Sequence, residues 1–80
     1  MSINYKDRIF TVMATVFEVP LETLNEESSI DTIDTWDSMK HLTLILALEE
    51  EFGITIPDEE VGGLVTYKLI DVTIHEQLGH

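Results

Sequence analysis

The chain has 80 residues, 44% of them hydrophobic, and a formal net charge of -12 from 16 acidic against 4 basic residues. That length suits a single domain over residues 1–80 whose core is near the lower limit of self-sufficiency. The charge repels phosphate backbones and anionic headgroups, which excludes nucleic acid and membrane partners, and the lack of cysteine excludes disulfides and thiolate chemistry from the chain itself.

In Tyr5 to Phe17 the apolar residues Ile9, Val12, Met13 and Val16 recur at helical spacing and Pro20 lies beyond the stop, which predicts the first helix. Residues 18–37 mix turn formers and carboxylates with isolated Val19, Leu21, Leu24, Ile30, Ile33 and Trp36. This pattern predicts a long loop pinned to the core by those side chains, and a loop of that length in a small domain is commonly functional. Met39 to Phe52 is rich in helix formers and is closed by Gly53, the second helix. Pro57 and Asp58 open a short third helix over D-E-E-V, which Gly62 and Gly63 limit to one turn. Thr66 caps a last helix through Tyr67, Ile70, Ile74 and Leu78, closed by Gly79. The alternation expected of a strand is confined to residues 54–56, so the fold class is all-α: a small four-helix bundle with a long loop between helices one and two.

Helix two carries too much apolar surface for one face. At 100° per residue Leu44, Ile45, Leu48 and Phe52 gather on one side and Met39, Leu42 and Leu46 on the next, an arc of about 220° where a surface helix needs about 100°. Either the helix is buried nearly all round, or its second side is an exposed strip for a partner; with so few helices available to cover it, the strip is the favoured reading.

The strip begins immediately after Ser38, in W-D-S-M. Asp-Ser ahead of an apolar run is first of all an N-cap signal. A nucleophilic serine needs a base and an oxyanion site; His41 lies one turn on, but there is no G-x-S-x-G elbow and little room for a substrate pocket. A phosphodiester on Ser38, in contrast, would sit beside the free N–H groups at the positive end of helix two. That position suits the serine as a substrate for attachment as well as a cap, and the chain is not expected to be an enzyme in its own right.

The motif W-D-S-M at 36–39, with the run L-A-L-E-E-E-F-G-I-T-I-P-D-E-E at 46–60 behind it, resembles the acyl carrier protein family, stand-alone type. The resemblance implies that Ser38 carries 4′-phosphopantetheine, transferred covalently from coenzyme A by a magnesium-dependent phosphopantetheinyl transferase. Asp37 would orient the site and Met39 would supply the hydrophobic contact after the serine. Acyl groups would be held as thioesters on the arm's thiol and delivered to enzymes of fatty-acid, polyketide or related specialised biosynthesis. The resemblance also implies partner contacts through Met39, Leu42, Leu46, Glu49 and Glu50; some members shelter the carried chain between helices, for which Leu46, Ile54, Ile56 and Val61 are candidate lining residues, with ordinary core packing their favoured role. Lys40 and Thr43 stand where fatty-acid carriers commonly place acidic residues.

The partners implied are the transferase, an acyl-loading ligase or transferase and downstream synthases, served by a monomer. Alternatives are an aminoacyl or peptidyl carrier, and a non-catalytic interaction subunit with the same fold. No metal site is expected: His41, His75 and His80 lack zinc spacing, and Asp31, Asp34 and Asp37 lack the glycine and terminal glutamate of a calcium loop. The N-terminal segment has no apolar signal core and no run spans a bilayer, so a cytoplasmic location is expected.

Overall fold

A computed structural model describes residues 5–79. Residues 1–4, which begin the segment read for a signal core, and His80 of the histidine set lie outside the described residues.

Helix α1 spans Tyr5–Phe17 and turns Ile9, Met13, Val16 and Phe17 inward. It ends on Glu18, which adopts φ 57°, and the N–H of Val19 donates to the Ala14 carbonyl at 3.2 Å, so the helix is closed in the left-handed manner without a glycine. Helix α2 spans Ser38–Phe52 and closes on Gly53 at φ 64°, a left-handed conformation that a residue without Cβ adopts at no steric cost. Helix α3 is the single turn Asp58–Val61, and α4 spans Tyr67–Leu78. Thr66 caps α4 by accepting from the Leu69 N–H at 3.1 Å, as the sequence predicts, and Gly79 ends it.

The core is one cluster drawn from α1, α2, α4 and the loop, with Phe17, Ile9, Met13, Leu44, Leu48, Ile70 and Ile74 fully buried. Burying an aliphatic or aromatic side chain of this size contributes roughly 1.5–3 kcal/mol. The α1–α2 joint is reinforced at its rim by Arg8, whose guanidinium lies 4.5 Å from the Phe52 ring centre and donates to Glu51 Oε2 and to the Glu51 carbonyl.

The long loop is ordered, but the way it is held differs from the expectation. Leu24, Ile33 and Trp36 are buried anchors, whereas Leu21 and Ile30 are exposed. Leu21 opens a short 3-10 turn, Leu21–Thr23, that turns it outward. Around Ile30 the backbone does the holding: the Ile30 N–H donates to the Val65 carbonyl at 2.9 Å and the Tyr67 N–H to the Ser28 carbonyl at 2.9 Å, an isolated antiparallel bridge between Ser29 and Thr66. Side chains complete the loop's hydrogen bonds, with Asn25 Oδ1 accepting from the Glu27 N–H and Ser28 Oγ from the Asn25 N–H. Thr35 then donates to the Phe17 carbonyl at 2.7 Å, which fastens the approach to α2 against the end of α1.

Candidate functional site

Ser38 is the first residue of α2 and is exposed. The cap is Asp37 and not the serine: its Oδ1 accepts from the Lys40 N–H at 2.8 Å, and its carbonyl accepts from the His41 N–H at 2.8 Å. Because Asp37 satisfies the helix start, the Ser38 hydroxyl is left uncommitted to capping. The N–H groups of Ser38 and Met39 precede the first intrahelical bond, so the positive end of the helix faces the serine.

Of the two accounts of α2, the structure bears out the exposed strip. Leu44, Ile45, Leu48 and Phe52 are buried, while Met39, Leu42 and Leu46 are 80%, 59% and 66% exposed. The strip starts beside the serine and runs one side of the helix. Glu50 is exposed at its far end; Glu49 is half-buried, and its Oε2 accepts from the Ile56 N–H at 2.7 Å.

His41 does not act as a base toward Ser38. The Trp36 indole N–H, which can only donate, lies 3.0 Å from Nδ1, so Nδ1 is the acceptor and the proton sits on Nε2. That Nε2–H donates to the Val61 carbonyl at 2.6 Å. Both ring nitrogens are thus occupied by partners other than the serine. Trp36 itself is buried and stacked on Phe17 with ring centres 4.7 Å apart.

Beside the serine lies an open cleft of about 350 Å³ lined by Ile30, Asp37, Ser38, His41, Leu42, Gly62 and Val65. A second, of about 360 Å³, runs between α2 and α3 and is lined by Leu42, Ile45, Leu46, Glu49, Ile56, Asp58 and Val61. Leu46, Ile56 and Val61 line the cleft between α2 and α3, while Ile56 is also a core residue and Ile54 and Val61 pack against the core, the role favoured for them from the sequence.

Sequence reading did not find the Trp36–His41–Val61 chain, nor the contribution of Ile30, Gly62 and Val65 to the cleft. The one available signal was local: the chain's single tryptophan two residues before Ser38, and a histidine three after it.

An exposed serine at a helix tip, with no base among the described residues aimed at it and apolar surface around it, is suited to hold a tethered group and to present it, which is the work of a carrier domain. The site fits 4′-phosphopantetheine: the helix end favours its phosphate, and Ile30, Leu42 and Val65 offer an apolar bed for its chain. Residues 7–68 match the family model described as phosphopantetheine attachment site. An acyl carrier protein from Thermosynechococcus vestitus is 38% identical over 60 residues, covering 75% of this chain and 74% of that one. The solution structure of a holo acyl carrier protein from Geobacter metallireducens superposes with a TM-score of 0.83 at 26% identity, covering 96% of this chain and 88% of that one. The chain belongs to the acyl carrier protein family, whose cofactor is covalent 4′-phosphopantetheine and whose members carry and do not catalyse.

Proposed function

We propose that Ser38 is the attachment residue for the 4′-phosphopantetheine arm and that the chain delivers acyl thioesters to enzymes of fatty-acid, polyketide or related specialised biosynthesis. The observation that carries this reading is the exposed Ser38 hydroxyl, freed from capping by Asp37, at the head of an exposed apolar strip. The arm supplies the thiol that the cysteine-free chain lacks. Asp37 orients the helix start, and Met39 is the first apolar contact for the phosphopantetheinyl transferase.

Partner enzymes dock on Met39, Leu42 and Leu46, with Glu49 and Glu50 at the far end. The partners are the transferase, an acyl-loading ligase or transferase, and downstream synthases. The acidic surface accelerates encounter with basic patches on these enzymes at low salt. The protein acts as a cytoplasmic monomer; among the described residues no helix is long and apolar enough to cross a membrane.

The test is incubation of the apo protein with coenzyme A, magnesium and a broad-specificity transferase, read by intact mass. One phosphopantetheine is expected on the wild type and none on Ser38→Ala; an unmodified wild type overturns the reading. Loading the holo form with acyl-coenzyme A or with amino acids and cognate ligases separates an acyl carrier from an aminoacyl or peptidyl carrier.

A further inference from the structure

Helix α3 is too short to hold itself in place, since a single turn gains few intrahelical hydrogen bonds against the cost of nucleation. Two side chains of α2 hold its segment instead. Glu49 Oε2 accepts the Ile56 N–H at 2.7 Å ahead of α3, and His41 Nε2–H donates to the carbonyl of Val61, its last residue, at 2.6 Å. His41 is fixed in turn by the Trp36 indole on its other nitrogen. The cleft beside Ser38 and the cleft between α2 and α3 share Leu42; His41 lines the first and Val61 lines the second. The His41–Val61 hydrogen bond therefore lies at their junction.

We propose that His41 is a positioning residue which, with Glu49, clamps α3 onto α2 and keeps the interhelical cleft narrow where it meets the cleft beside Ser38. The clamp makes the size of the shelter for a carried apolar chain a property of two hydrogen bonds. The cargo half of this proposal rests on the carrier reading above; the clamp half does not.

The clamp is tested on the apo protein by amide hydrogen exchange across residues 56–64 and by the indole 1H–15N resonance of Trp36, the only tryptophan. In His41→Ala the indole resonance shifts and exchange at Glu60, Gly63 and Leu64 rises about fivefold to tenfold, the loss expected for one hydrogen bond. In the wild type, long-range 1H–15N spectra show the Nε2–H tautomer. His41→Gln, which retains an amide donor for Val61, brings exchange back toward the wild-type rate, and Glu49→Ala loosens the other end. A His41→Ala protein with wild-type exchange, or a wild-type Nδ1–H tautomer, overturns the clamp.

The cargo half is read as the ratio of hydroxylamine cleavage rates for acetyl and octanoyl thioesters of the holo proteins. His41→Ala is expected to protect octanoyl severalfold more than the wild type, with acetyl unchanged; equal ratios in both proteins overturn it. Failure of the wild type to accept the arm at all overturns the carrier reading and the cargo half together, and leaves the exchange result to judge the clamp.

Discussion

Lys40 Nζ lies 2.8 Å from Glu18 Oε2, an ion pair that ties the first turn of α2 to the residue that terminates α1. The ammonium beside Glu18 holds its carboxyl below the ordinary 4.5. A carboxyl depressed in the folded state contributes stability that is fully present above its unfolded value and is lost as pH falls through the folded one. In Lys40→Met, an NMR titration should show the Glu18 carboxyl return toward 4.5, and the acid limb of stability should lose that contribution. High salt should weaken the wild-type shift, because both groups touch solvent. An identical Glu18 titration in the two proteins would discount the pair.

Capping falls to Asp37 and leaves its neighbour Ser38 free of that duty. Asp37→Ala removes the acceptor for the Lys40 N–H and should cost about 1 kcal/mol, within the range of about 0.5–2 for lost N-caps. Ser38→Ala should change stability by less than about 0.5 kcal/mol, since the side chain is exposed and does not cap. Asp37→Asn keeps a capping oxygen and discards the charge, so a slower modification rate with unchanged stability would assign a recognition role to the carboxylate. Urea unfolding and the rate of arm addition measure the two effects.

The two sides of α2 should respond in opposite currencies. Leu44→Ala opens a cavity at a fully buried position and should destabilise by about 2–5 kcal/mol. Leu46→Ala, at a side chain 66% exposed, should alter stability by less than about 0.5 kcal/mol but weaken capture by a partner enzyme. Calorimetry gives the first and steady-state kinetics with the transferase the second. A Leu46→Ala protein as unstable as Leu44→Ala would mean that the strip is structural.

Tyr67 predicts a loss of stability at high pH. The side chain is 3% exposed and stacks on Phe10 with ring centres 4.4 Å apart. Burial, with the carboxylates of Asp71, Glu26 and Asp7 added, pushes its phenol up from 10.0 to about 12. The folded state therefore keeps a proton that the unfolded chain has released, and stability present below pH 10 is lost as pH rises through 12, an effect of about 2–3 kcal/mol. Ultraviolet titration should show a late tyrosinate that disappears in Tyr67→Phe.

Much of the fold was legible because its signals are local. Tyr5 to Phe17 is read from spacing, Thr66 and Gly79 from capping chemistry, and the apolar excess on α2 from the angles of Met39, Leu42 and Leu46. The rest depends on residues far apart in the chain. Nothing near Ile30 foretells its pairing with Val65, nor anything near His41 its bond to Val61, because each partner is chosen by the assembled bundle. Glu49 shows the limit most clearly: read from the sequence as a charge that interrupts the apolar arc and meets partners, its carboxylate instead satisfies the Ile56 N–H.

The bridge between Ser29 and Thr66 joins the lead-in to Ser38 with a segment nearly half the chain downstream. Closing so distant a contact is among the later events for a chain otherwise built from local helices. Until Val65 and Tyr67 have left the ribosome the stretch around Ser29 lacks this bridge, while Thr35 and Trp36 have Phe17 available to hold the approach to Ser38. A nascent chain halted before that point should accept the cofactor more slowly than the finished chain to the extent that the bridge orders the approach to Ser38, and an equal rate would assign that ordering to the contacts with Phe17.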